Sequence, residues 1–231
     1  MGMLERIKST KGLHSDSVKC VVYAKSGAGK TSLLGTSDES KTLILSAESG
    51  LLSLADKDIA SIAINRWVDL KVAYSEILKA IKDENFAYTT IGIDSLTEVA
   101  DMLVKYLQAS PEYSDPKNTF KMWGEYNARI TELVKAFRDL PNVNVVFTAL
   151  VDEVNDGGML IKKPLIQGSK AQSMLGSFFD EVLYLSINES NGERQVHTQP
   201  TNYFEAKDRS GKLAEIEVPD LSVIFSKIKG V

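Results

Sequence analysis

Apolar runs of strand length alternate with amphipathic stretches through the first two thirds of the chain. Residues 18–23, 42–46, 59–64, 89–94 and 144–149 read as strands. Their predominantly apolar interiors suit strands covered on both faces. Between them lie helical patterns. One begins at Thr31. A second takes Asp69 as its N-cap, with Val72, Ile77, Leu78 and Ile81 at helical spacing. A third carries Leu96, Val99, Leu103 and Leu107, and a long fourth spans 120–140 with Ile130, Leu133, Val134 and Phe137 on one face. Such alternation predicts an α/β domain: a mainly parallel central sheet with helices on both faces.

After Ala149 the texture changes. Asp156-Gly157-Gly158 and Asn191-Gly192 are turn signals that predict hairpins or flexible loops. Residues 171–179 read as a short helix, 181–187, 195–199 and 204–207 as strands, and 221–228 as a closing helix. Residues 1–231 form a single domain in this reading, with an antiparallel C-terminal extension. Residues 1–17 are left as a segment for contacts between copies.

Composition narrows the chemistry. A chain of 231 residues, 43% hydrophobic and 25% charged, can bury one substantial core and is not a disordered polymer. The single cysteine, Cys20, excludes an internal disulfide and a Cys-based zinc cluster. Two histidines, His14 and His197, leave little for His-ligated metal chemistry or a Ser-His relay. No window approaches the ~20 apolar residues of a membrane span. The charged start lacks a signal-peptide stretch, so a cytoplasmic setting is expected. A net charge of −4 argues against a constitutive nucleic-acid surface but leaves room for a local basic strip.

The sharpest motif is Ala24-Lys-Ser-Gly-Ala-Gly-Lys-Thr31, between a predicted strand and a predicted helix. That is the setting of a Walker A loop, whose backbone N–H groups cradle phosphates. Ala24, Lys25, Ser26, Gly27, Ala28, Gly29, Lys30, Thr31 and Ser32 would line the phosphates of ATP. Gly27 and Gly29 allow the backbone to wrap closely. Lys30 would reach the β- and γ-phosphates, and the Thr31 hydroxyl would ligate Mg²⁺. The usual pattern opens with Gly where this chain has Ala24. Asp94, ending the apolar run Ile91-Gly-Ile-Asp, fits a Walker B aspartate holding the same ion.

A kinase and an ATPase share these features. What separates them is a group that orients an attacking water. Glu48 follows the strand 42–46, where the carboxyl ends of parallel strands form the ligand crevice. A carboxylate there can position water or accept its proton.

The order of these motifs, with Ser46-Ala-Glu-Ser-Gly and Ile-Asp-Ser, resembles the RecA-type ATPase core, and more closely the compact RecA/RadA-like phage ATPases of the Sak group. The resemblance implies several roles. Glu48 would be the catalytic base. Residues 145–149 would lead into a mobile DNA-binding loop. Lys207 and Arg209 would reach a neighbouring subunit's nucleotide in a ring or filament. It also implies ATP-driven annealing or strand exchange on single-stranded DNA, with a single-strand DNA-binding protein as a further partner.

Two connections are candidates for that DNA. One spans 152–170 and carries Lys162, Lys163 and Lys170 among glycines. The other spans 110–124, where Lys117 and Lys121 interleave with Phe120 and Trp123, on which bases could stack. Two alternatives compete with the recombination reading. One is a small nucleoside or metabolite kinase, although the sequence has no Arg-rich lid. The other is a nucleotide-gated assembly protein with little turnover.

Overall fold

The computed structural model describes residues 17–48 and 50–231. The predicted contact segment 1–17, apart from Ser17, and His14 lie outside the described residues. Six strands run parallel: β1 (Lys19–Ala24), β2 (Thr42–Ser46), β3 (Ala60–Ala63), β4 (Thr90–Asp94), β5 (Asn144–Asp156) and β7 (Glu181–Ile187). Their order across the sheet is β7-β1-β5-β4-β2-β3. Antiparallel strands extend it: β6 (Met159–Pro164) on β5, β8 (Arg194–His197) and β9 (Lys207–Asp208) on β7, and β10 (Ile216–Glu217) on β8.

Alternation along each strand divides the core in two. Val21, Tyr23, Leu45, Ile91, Ile93 and Phe147 face the larger layer of helices: α2 (Trp67–Lys82), α3 (Leu96–Gln108), α4 (Thr119–Arg138) and α5 (Ser169–Leu175). Cys20, Val22, Ala24, Ile44 and Val146 face the other layer, made of α1 (Lys30–Leu34) and α6 (Leu221–Lys229). Gly92 lets α1 settle onto β4, because a Cβ there would lie only 3.0 Å from the Leu34 side chain. No helix among the described residues is long and apolar enough to cross a membrane.

Three sequence expectations change. Asp69 is not the N-cap of α2. It sits at the third helical position, and its carboxylate accepts from the Arg66 N–H at 2.9 Å, so Arg66 is the cap. The connection 152–170 is not a long loop. β5 runs on to Asp156 and turns back through Gly157 and Gly158, both at positive φ, into β6. Asp-Gly-Gly is two-residue hairpin chemistry, and it captured a stretch whose charges suggested mobility. The strand expected at 204–207 is reduced to β9, while Phe204 only bridges Lys162.

At the amino ends of the parallel strands two ionisable groups are buried. The Lys19 ammonium donates to the Leu140 carbonyl at 2.7 Å and to the Val143 carbonyl. Glu181 is 1% exposed, and one of its carboxylate oxygens has no hydrogen-bond partner among the described residues. Burial, and then the charge of Asp208 across the β7–β9 pair, raise its carboxyl from 4.5 to about 8. Below about pH 4.5 this group is protonated both folded and unfolded. From there to about pH 8 the folded chain holds a proton that the unfolded chain releases, so stability falls as pH rises. Glu181→Gln removes that dependence. In urea unfolding it should gain roughly 1–3 kcal/mol on the unsubstituted chain between pH 5 and pH 8.5. A difference that stays constant with pH would contradict the assignment.

Candidate functional site

The carboxyl ends of β1, β2, β4 and β5 meet at one edge of the sheet. Ser46 pairs with Asp94, and Ala24 with Leu150. The loop leaving β1 begins at Ala24, which is fully buried within an extended strand. No left-handed backbone is needed there, so alanine replaces the customary glycine without strain. Gly27 and Gly29 do need one, with φ of +76° and +103°. The loop then closes into α1, with the Leu33 N–H donating to the Gly29 carbonyl at 2.9 Å.

Lys30 is buried beneath this loop. Its ammonium makes only long contacts, 3.4 Å to the Ala24 carbonyl and 3.3 Å to the Lys25 carbonyl. Burial lowers its pKa, and the nearby carboxylates of Glu48 and Asp94 oppose that shift. The ammonium thus sits weakly partnered at the floor of a cavity of about 610 Å³, whose walls include Ser26, Gly29, Thr31, Glu48 and Arg194.

Asp94 is fully buried and ties three strands together. One carboxylate oxygen accepts from the Thr31 hydroxyl at 2.8 Å, and the other from the Thr148 hydroxyl. Its backbone carbonyl accepts from the N–H groups of Ala47, at 2.6 Å, and Glu48, at 3.2 Å. Glu48 is fixed a second time, because the Ser95 hydroxyl donates to its Oε1. The same Ser95 oxygen caps α3 by accepting from the Glu98 N–H at 3.4 Å.

These residues fit a magnesium–triphosphate. Thr31 and Asp94 are hard oxygen donors, and they share a hydrogen bond where one cation could join them. The described residues contain no cluster of three or more His, Cys, Asp or Glu suited to a metal. An ideal Cβ on Gly27 would meet nothing within 4 Å, so the loop's crest stays open to a ligand.

Of the residues predicted for the phosphates, Ser26, Gly27, Gly29, Lys30, Thr31 and Ser32 line this cavity with Glu48, and Asp94 is bonded to Thr31 beside it; Ala24 is buried in β1, and Lys25 and Ala28 line a second cavity on the loop's other side. Lys207 and Arg209 line neither. Lys207 donates to the carbonyls of Gly176, at 3.2 Å, and Phe179, at 2.6 Å, while Arg209 pairs with Asp180 at 2.6 Å. Both lie by the amino ends of the strands, about one strand length, roughly 15–20 Å, from the loop. Of the candidate DNA contacts, only Lys162 comes near. Its ammonium lies 5.6 Å from the centre of the Tyr184 ring, in the second cavity, of about 650 Å³, which also includes Lys25, Ser26, Tyr203 and Phe204. Lys163 pairs in register with Asp152, Lys121 bonds Glu112 at 2.7 Å, and Lys117 and Lys170 are exposed away from both cavities. Phe120 is 94% exposed, whereas Trp123 packs edge-on against Tyr126.

Sequence reasoning missed Thr148, Ser95 and Arg194. Thr148 stands in the strand 144–149 one residue before its end, and Ser95 directly follows Asp94. Weighing each polar interruption of an apolar strand end would have found both. Arg194 carried no such signal, since only the pairing of β8 with β7 brings it here.

A comparison with curated proteins finds no match. Residues 16–210 match the AAA domain family, a span that covers the loop, Glu48, Asp94 and the sheet from β1 to β9. A P-loop site and a match across most of the chain agree, and the chain belongs to the AAA domain family.

Proposed function

We propose that this chain hydrolyses ATP, with Glu48 activating the water. The observation that carries this reading is the pairing of Glu48 with Ser95 beside the Thr31–Asp94 contact. The Ser95 bond engages Oε1 and holds the side chain at the cavity wall, which leaves Oε2 to take a proton. Water then adds to the γ-phosphorus, the bond to the bridging oxygen of ADP breaks, and inorganic phosphate leaves. Lys30, weakly partnered at the cavity floor, offsets the charge of the outer phosphates. Thr31 and Asp94 would hold Mg²⁺, which when bound neutralises phosphate charge.

The finer reading is a recombination protein that works on single-stranded DNA as a stacked assembly. It is supported by the second cavity, where the Lys162 ammonium and the rings of Tyr184, Tyr203 and Phe204 adjoin the same loop residues, Lys25 to Ala28. A base stacked on the exposed Tyr203 ring would bring the strand against the nucleotide loop from its outer side. In a head-to-tail stack, the sheet end that carries Lys207 and Arg209 would face the next copy's nucleotide, and the two side chains would exchange their present bonds to Phe179 and Asp180 for its phosphates.

Lys30→Ala should lower ATP affinity at least ~10-fold, measured by equilibrium binding of a fluorescent ATP analogue. Unchanged affinity would discard the loop as the phosphate site. Glu48→Gln should keep affinity within a few-fold and slow phosphate release by ~100-fold or more. Full turnover would remove Glu48 from the chemistry. A single-stranded oligonucleotide should stimulate turnover several-fold, and Lys162→Ala should cut that stimulation. Turnover unaffected by any single strand would end the DNA reading and leave the ATPase reading intact.

A further inference from the structure

Arg194 begins β8, in register with Ile187 at the carboxyl end of β7. The turn that delivers it is held by its own bonds. The Asn188 N–H donates to the Glu193 carbonyl at 2.8 Å, and the Glu193 N–H donates to the Asn191 side-chain oxygen at 3.0 Å. From there the side chain reaches 166 residues back along the sequence, where its Nε–H donates to the Ala28 carbonyl at 2.9 Å. It fills the space beside Gly29 that any side chain would claim, since a Cβ there would lie 2.7 Å from Nε. The two terminal NH₂ groups carry no hydrogen bond or ion pair among the described residues, and the residue lines the phosphate cavity.

The side from which it arrives defines its task. Across the sheet the order is β8-β7-β1-β5-β4-β2. Asp94 and Glu48 therefore lie on one side of the loop strand, and Arg194 on the other. A triphosphate with its outer end at Glu48 and Lys30 would extend its inner phosphates along the same cavity toward Arg194. A guanidinium tethered through Nε keeps its remaining fork free for two phosphate oxygens at once.

We infer that Arg194 binds the α- and β-phosphates of the nucleotide from within the same subunit, at the end of the polyphosphate away from the bond that breaks. This rests on the ATPase reading and adds to it a binding residue that takes no part in the chemical step. A contact made equally in ground state and transition state changes KM and leaves kcat nearly untouched. It would also act without a neighbouring copy, unlike the pair Lys207 and Arg209.

The test uses the full chain and three readouts: KM and kcat for ATP, affinity for ADP, and affinity for a non-hydrolysable ATP analogue. Arg194→Ala should weaken ADP and the analogue in parallel, by about tenfold each, and raise KM for ATP similarly, with kcat lowered less than ~3-fold. Arg194→Lys, which keeps charge but not the fork, should recover part of the affinity. Two results would overturn the inference: unchanged affinity for both nucleotides, or a loss confined to the ATP analogue with a collapse of kcat, which would place Arg194 at the γ-phosphate. If the unsubstituted chain bound neither nucleotide, the ATPase reading itself would fall. If it bound both and Arg194→Ala bound them equally well, only this inference would.

Discussion

The carboxylate of Asp94 has no access to solvent, and a buried carboxylate must be met by hydrogen-bond donors. Thr31 from α1 and Thr148 from β5 supply them. The Asp94 backbone carbonyl, in turn, holds the exit of β2 through Ala47 and Glu48. One residue thus fixes the relative positions of the loop helix, the strand that carries Glu48, and the strand between them and β1. The site's geometry follows from this constraint more than from the glycines of the loop, which only let a phosphate approach.

The two ends of the sheet hold buried charge in different ways. At the carboxyl ends, Lys30 is buried with only long contacts, and a polyanion could enter and complete its coordination. At the amino ends, Lys19 is already bonded to two carbonyls. Burial there raises the Glu181 carboxyl to about 8, which favours its neutral form. The first arrangement suits a ligand and the second closes a core. Lys207 and Arg209 belong to the second end within a protomer, each bonded to its own chain.

How much was legible in the sequence depended on whether the information was local. The parallel strands and their helices came from apolar runs and helical spacing, because burial on both faces leaves a continuous signature. The loop residues came from their motif and Asp94 from its place at a strand end, whereas Glu48 needed the resemblance to the RecA-type core beside its position. The hairpin of β5 and β6 was half-legible: Asp156-Gly157-Gly158 announced a turn, but the charges of 152–163 hid the pairing that Asp152–Lys163 and Glu153–Lys162 make across it. Arg194 was out of reach, because a residue 166 positions from its partner enters the site only through the antiparallel order of β8 on β7. Ala24 shows the converse. A departure from a motif reads as a defect in sequence, yet the backbone at this position is extended and needs no glycine.

The most direct measurement is a crystal structure of the chain with magnesium and a non-hydrolysable ATP analogue. The cation should be joined to the Thr31 hydroxyl and linked to Asp94, with the outer phosphate at the Lys30 ammonium and Glu48 facing a water in line with the γ-phosphorus. Phosphates bound outside this cavity, or Glu48 turned from the γ-phosphorus with no water between them, would contradict it.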